Sequence, residues 1–233
     1  CLESGVRKFI LASSCSIYGE GGDFAKTESD KTNPLTAYAK SKVCCEDELN
    51  RQFSNTDLEI ICLRFATACG ISDRLRLDLV LNDFVASAVL NKQITVLSDG
   101  SPCRPLIDVQ DMCQSLIWAS HFSVKHTLST NFLSLNVGSN DWNFTIRDLA
   151  TVVSQVIPGT SISINKEAPP DKRSYMVDFS LYKSLAGIYY PTKRIQSVIE
   201  ELVPMTQSLD IQASNIRSSK FIRLNHLQSM IRS

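Results

Sequence analysis

Short apolar runs alternate along this chain with blocks whose apolar residues recur at helical spacing, and few folds accept that alternation. Lys8-Phe9-Ile10-Leu11-Ala12 leads into a serine-rich turn, and Leu58–Leu63 is a second run of the same kind. Runs this short and apolar suit strands buried on both faces, as in parallel sheets. Between them, Pro34 and Thr36 predict a helix reaching about Phe53, with Ala37, Ser41, Cys44, Cys45 and Leu49 on its inner face. Leu77–Leu90 is apolar at 77, 80, 81, 84, 85, 88 and 89, a helical period. Ile94–Leu97 reads as a strand turned by Asp99-Gly100, Val109–His121 as a helix, and Phe132–Val137 as a strand ending at Gly138. Thr145 caps a helix to Val156, halted by Pro158-Gly159. Short strands over 162–164 and 175–177 and an amphipathic helix over 195–202 follow, and the tail from about 205 carries weak periodicity. Strand-helix-strand order with buried strands predicts an α/β protein built on a parallel, doubly wound sheet.

The charges exclude some partners. Twenty-four Lys and Arg balance twenty-four Asp and Glu, so there is no bulk positive field for nucleic acid or an anionic membrane. No apolar run approaches the roughly 20 residues of a membrane span. Eight cysteines lie scattered without Cys-x-x-Cys spacing and none pairs with the three histidines, so no metal site is expected. Such cysteines are expected to be small core residues of a cytoplasmic protein.

Chemistry concentrates at two places. Tyr38 and Lys42, in Tyr38-Ala39-Lys40-Ser41-Lys42, are four apart and stack on one helix face. A phenol titrates near pH 10 and is a poor base at neutrality, but an adjacent ammonium favours the phenolate and makes it a usable acid/base. The second place is Ser13-Ser14-Cys15-Ser16-Ile17-Tyr18-Gly19, directly after the first strand. Ligands of open α/β sheets sit beyond the carboxyl ends of the strands, where a hydroxyl can bond a substrate oxygen. Taken singly, each has a plainer reading as a surface tyrosine or a polar strand exit.

Together the motifs resemble the extended short-chain dehydrogenase/reductase family, and more narrowly its NAD-dependent nucleotide-sugar epimerases and dehydratases. The resemblance runs in order from about residue 6 to 203. It takes in Ser-Ser-x-x-Ile-Tyr-Gly, Tyr-x-x-x-Lys, Leu63-Arg64-Phe65-Ala66-Thr67-Ala68-Cys69-Gly70, Arg104-Pro105-Leu106-Ile107-Asp108-Val109, Asn136-Val137-Gly138 and Asp171-Lys172-Arg173. It implies NAD as cofactor, a nucleotide-sugar as substrate, and Ser14, Tyr38 and Lys42 as the catalytic set. Ser13 and Phe65, with Tyr38 and Lys42, are implied to contact the cofactor. Ser14, Cys15, Ser16, Thr67, Asn82, Arg104 and Arg173 are implied to contact the substrate, the arginines at its diphosphate. Residues 1–70 and 104–138 are then the remaining part of the cofactor domain, 71–103 and 139–204 a substrate domain, and 205–233 a tail without assignment. A homodimer through the catalytic helix is a further implication, with Leu49 and Phe53 suited to that face or equally to a core.

Two departures shape the expected activity. The family's dehydratases carry an Asp-Glu pair where this chain has Cys15 and Ser16, which disfavours dehydration. The family's Gly-rich cofactor turn is absent from the nine glycines. The expectation is a chain truncated at its N-terminus, its first strand an apolar edge that promotes aggregation and weak NAD binding. Three activities stay open at this point: epimerisation through a 4-keto intermediate, reduction of a keto-sugar or other carbonyl by NAD(P)H, and a non-catalytic remnant.

Overall fold

The computed structural model describes residues 2–232 apart from 21, 23, 169–173, 211–215, 217, 218 and 220. In chain order its strands are β1 (Lys8–Ser14), β2 (Glu59–Phe65), β3 (Thr67–Cys69), β4 (Gln93–Val96), β5 (Cys103–Asp108), β6 (Phe132–Val137), β7 (Asn143–Thr145) and β8 (Ser161–Ile164). The helices are α1 (Ala37–Phe53), α2 (Val80–Asn91), α3 (Val109–His121), α4 (Val124–Leu128), α5 (Ile146–Val156), α6 (Ser180–Ala186), α7 (Ile195–Gln207) and α8 (Arg223–Arg232). None of the described helices is long and apolar enough to cross a membrane.

The chain divides into two compact units, the first comprising 1–67, 103–143 and 172–192, the second 68–102, 144–171 and 193–233. The first unit is built on a parallel sheet of order β1-β2-β6. Register places Ser14 beside Phe65 and Phe65 beside Val137, so three strands end at one level. β2 is central and buried almost throughout, which explains its unbroken Ile-Ile-Cys-Leu run. Its Ile61, Leu63 and Phe65 join a core with Trp118, Tyr182, Val177 and Phe179, while Ile60 and Cys62 pack on the other side with Leu49 and Phe53 of α1. Leu49 and Phe53 are half-buried against this core.

Three expectations are corrected here. The inner face of α1 is not Ala37, Ser41, Cys44 and Cys45, which are all exposed; its buried residues are Ala39 and Glu46. The physical reason is that a carboxylate with partners on the sheet takes the inward position. Segment 172–192 belongs with the first unit rather than with a substrate domain. Lys26 bridges Val177 through the bonds Lys26 N–H to Met176 (2.8 Å) and Asp178 N–H to Lys26 (2.9 Å), a single bridge where a strand over 175–177 is expected. Phe179 lies against Gly138, whose missing side chain makes room for the ring.

The second unit holds the parallel pair β4–β8, Ile94 beside Ile162, with α2, α5 and α7. Its core draws on Leu77, Leu81, Val85, Ile94, Leu149, Val153, Val198 and Ile199, all buried. Gly100, at φ +84°, makes the predicted turn after β4, where Arg147 N–H bonds its carbonyl at 3.0 Å. α7 extends to Gln207, past the predicted end at 202 and through Pro204.

Candidate active site

Thr36 starts α1 by accepting the Ala39 N–H at 3.1 Å, which brings Tyr38 into the first turn with its side chain outside the core. Tyr38 is 56% exposed. One turn on, the Lys42 ammonium donates to the Ala12 carbonyl of β1 at 2.8 Å and lies 5.6 Å from the centroid of the Tyr38 ring. The helix therefore brings phenol and cation together, and the strand carbonyl fixes where the cation stands.

Ser14 closes β1 and caps the short 3-10 turn Cys15–Tyr18, accepting the Ser16 N–H at 3.2 Å and donating its own proton to Ser16 Oγ at 2.9 Å. Ser14 and Ser16 are half-buried. Cys15 faces the other way. It is fully buried, its thiol donates to the Arg64 carbonyl at 2.9 Å, and burial above all holds that thiol well above its ordinary range. The Cys15 side chain is thus turned into the core. Ser13 is buried too, and its hydroxyl donates to Glu46. Phe65 ends β2 at 4% exposure.

Thr67 hydrogen-bonds the Tyr175 phenol, which burial foremost raises well above the ordinary tyrosine range, and the Arg104 guanidinium lies 5.8 Å from the same ring. Thr67 and Arg104 thus meet around Tyr175 in the first unit. Asn82, in the second, is buried. Its Oδ1 accepts the Gly70 N–H at 3.0 Å and its Nδ2 donates to the Arg76 carbonyl at 3.0 Å, so the amide pins the 70–76 loop. Arg173 lies outside the described residues. Asp108 caps α3 by accepting the Gln110 N–H at 3.1 Å. Among the described residues no cluster of three or more His, Cys, Asp or Glu is placed to hold a metal ion.

Reading the sequence for chemistry passes over a buried network beside this site. Arg64 on β2 meets Glu46 on α1 at 2.7 Å, their side chains 10% and 5% exposed. Arg64 also donates to the Tyr18 hydroxyl at 3.1 Å, and Tyr18 donates to Asn136 Oδ1 at 2.7 Å. A charged residue inside an apolar strand is the signal that points to such a partner, because an unpaired buried charge is prohibitively costly.

Comparison with known proteins agrees with this architecture. The sequence profile of the NAD dependent epimerase/dehydratase family matches residues 1–130. The chain belongs to that family. It is 27% identical over 169 residues to the UDP-glucose 4-epimerase of Halalkalibacterium halodurans, covering 66% of this chain and 49% of that protein. It is 26% identical over 188 residues to UDP-glucuronic acid decarboxylase 6 of Arabidopsis thaliana, covering 77% and 52%. Among solved structures, the NAD dependent NDP-hexosamine 5,6-dehydratase TunA superposes with a TM-score of 0.75 at 21% identity, covering 90% of this chain and 66% of that one. The shared fold is the Rossmann-type α/β architecture of the family's epimerases and dehydratases. The chain spans about half the length, or less, of the curated relatives it matches.

Proposed function

We propose that the complete natural protein is an NAD-dependent epimerase that inverts a nucleotide-sugar at C4 through a transient 4-keto sugar. The observation that carries this reading is the exposed Tyr38 phenol with the Lys42 ammonium near its ring, the ammonium held by the Ala12 carbonyl of β1, two residues before Ser14. The same pair fits the nicotinamide-ribose end of the cofactor. An accessible phenol and an ammonium stand together, and both donate to hydroxyl oxygens. NAD held at Tyr38 and Lys42 would supply a hydride acceptor and donor for sugar C4. Tyr38 removes the proton of the 4-hydroxyl as general base and returns it as general acid after the keto sugar has turned over. Lys42 stabilises the phenolate by its charge. Ser14, already a donor to Ser16, redirects its hydroxyl to the 4-oxygen. Ser13 and Phe65 supply backbone at the strand ends. In this reading the first unit holds the cofactor. The contacts assigned to Ser16, Thr67, Asn82, Arg104 and Arg173 rest on the family resemblance.

The turn from Ser14 to Tyr18 contains no Asp or Glu, which argues against net loss of water from the sugar. The test is incubation of the complete protein with NAD and a panel of UDP-sugars, followed by NMR of the product. Inversion at C4 with no net change in the cofactor is expected. Steady consumption of reduced cofactor makes the protein a reductase, release of carbon dioxide or water makes it a decarboxylase or dehydratase, and no turnover of any sugar refutes the reading.

A further inference from the structure

Tyr38, Lys42 and Glu46 recur at four-residue spacing and so share one face of α1. The three differ in what they touch. Tyr38 is open, Lys42 meets the Ala12 carbonyl, and Glu46 is 4% exposed. The Glu46 carboxylate accepts the Ser13 hydroxyl on β1 and the Ser134 hydroxyl on β6, the latter at 3.2 Å. It also accepts Arg64 of β2 through Nε at 3.0 Å and through the guanidinium end at 2.7 Å. One carboxylate thus ties the helix to all three strands of its sheet. Arg64 continues to the Tyr18 hydroxyl at 3.1 Å and to the Glu28 carbonyl at 3.3 Å. Tyr18 ends the turn that Ser14 begins. The turn carrying Ser14 and the helix carrying Tyr38 and Lys42 are therefore referenced to the same ion pair.

Stability alone does not account for such a pair, since desolvation of two charges offsets most of their attraction and an apolar pair often serves as well. A directed, multiply bonded contact adds a fixed distance. Ala39, Val43, Leu49 and Phe53 pack α1 against the sheet, and the Glu46 contact adds to that non-directional packing a bonded distance to each strand.

We infer that Glu46, acting through Arg64, is a positioning residue that sets the spacing between α1 and β1, and with it the placement of Lys42 and Tyr38 relative to Ser14. The catalytic consequence rests on the epimerase reading; the geometric one does not, and the test separates them.

The decisive experiment titrates Tyr38 in the complete protein, with and without Glu46→Gln, as the tyrosinate absorbance lost in the matching Tyr38→Phe background. Two effects oppose each other in sign. Removing a carboxylate about 12 Å along the helix makes the phenolate form at lower pH by charge alone. If α1 shifts on β1 while Lys42 stays with the Ala12 carbonyl, the ammonium leaves the Tyr38 ring and the phenolate forms at higher pH. The inference requires the upward shift, by about half a pH unit or more. A folded Glu46→Gln whose Tyr38 titrates at the same or lower pH overturns it. Where Glu46→Gln does not fold, Glu46→Asp takes its place; it keeps the charge and shortens the reach, so the shift is again upward or the inference fails. In kinetics, kcat falls about tenfold or more with KM within about threefold. Absence of turnover in the unsubstituted protein counts against the epimerase reading only, since the titration still decides the positioning role.

Discussion

Of the four tyrosine–cation pairs among the described residues of the first unit, two have opposite fates. Lys42 stands 5.6 Å from the Tyr38 ring and Arg64 stands 5.8 Å from the Tyr18 ring. Tyr38 is 56% exposed, whereas Tyr18 is fully buried. Burial, outweighing the nearby Arg64 charge, holds the Tyr18 phenol well above its ordinary range, and its proton is already committed to Asn136. The pairing of phenol and cation does not by itself make an acid/base. An acid/base also needs access, and of these two pairs the one at the start of α1 has it.

The contrast can be broken or sharpened by substitution. Tyr38→Phe carries the largest effect: turnover falls by about 10²- to 10⁴-fold in a steady-state assay, with nucleotide-sugar affinity by calorimetry little changed. Arg64→Met acts on the other pair and leaves the Glu46 carboxylate buried without its counter-charge. Denaturant unfolding should show a loss of about 3–5 kcal/mol. Tyr18→Phe removes the hydroxyl between Arg64 and Asn136 and costs about 1–3 kcal/mol by the same measurement. If Tyr18→Phe lowered turnover as far as Tyr38→Phe while leaving stability intact, the division of labour between the pairs would be wrong. Thr36→Ala, which removes the N-terminal cap of α1, costs about 1 kcal/mol in denaturant unfolding.

The smallest effect concerns pH. Burial foremost raises the Glu28 carboxyl, whose Oε1 accepts the Asn136 N–H at 2.9 Å. A raised folded-state value means that Glu28 favours the fold when protonated, and that this contribution is lost as pH rises through the folded value. Glu28→Gln keeps the acceptor without the charge. Its unfolding midpoint should exceed that of the parent at pH 7, and the two should converge at pH 4 and below, as followed by circular dichroism.

Periodicity and capping made much of the scaffold legible. α3 and β6 occupy the residues that the pattern predicts, and α5 begins where Thr145 accepts the Asp148 N–H at 3.0 Å. β5 escapes such a reading because Arg104 and Pro105 interrupt its apolar run. The inner face of α1 is misread for a sharper reason. Hydrophobic patterning sends a carboxylate outward, and Glu46 points inward because Ser13, Arg64 and Ser134 supply its partners from strands distant in sequence. The same long-range pairing hides the place of 172–192, which is set by Lys26 meeting Val177. At the site, Tyr38 and Lys42 are legible because their relation is local, one helical turn. Burial of Cys15 and the commitment of Asn82 to its own loop are tertiary facts, invisible in residue type or spacing.

The central claim is that hydrogen leaves and returns to the same sugar carbon while Tyr38 handles the proton. A UDP-sugar carrying deuterium at C4, incubated with the complete protein and NAD, reads this directly by NMR. The account predicts inverted product with deuterium still on C4 and none entering from deuterated water in the converse experiment. Inverted product that has exchanged its C4 hydrogen with solvent would contradict it.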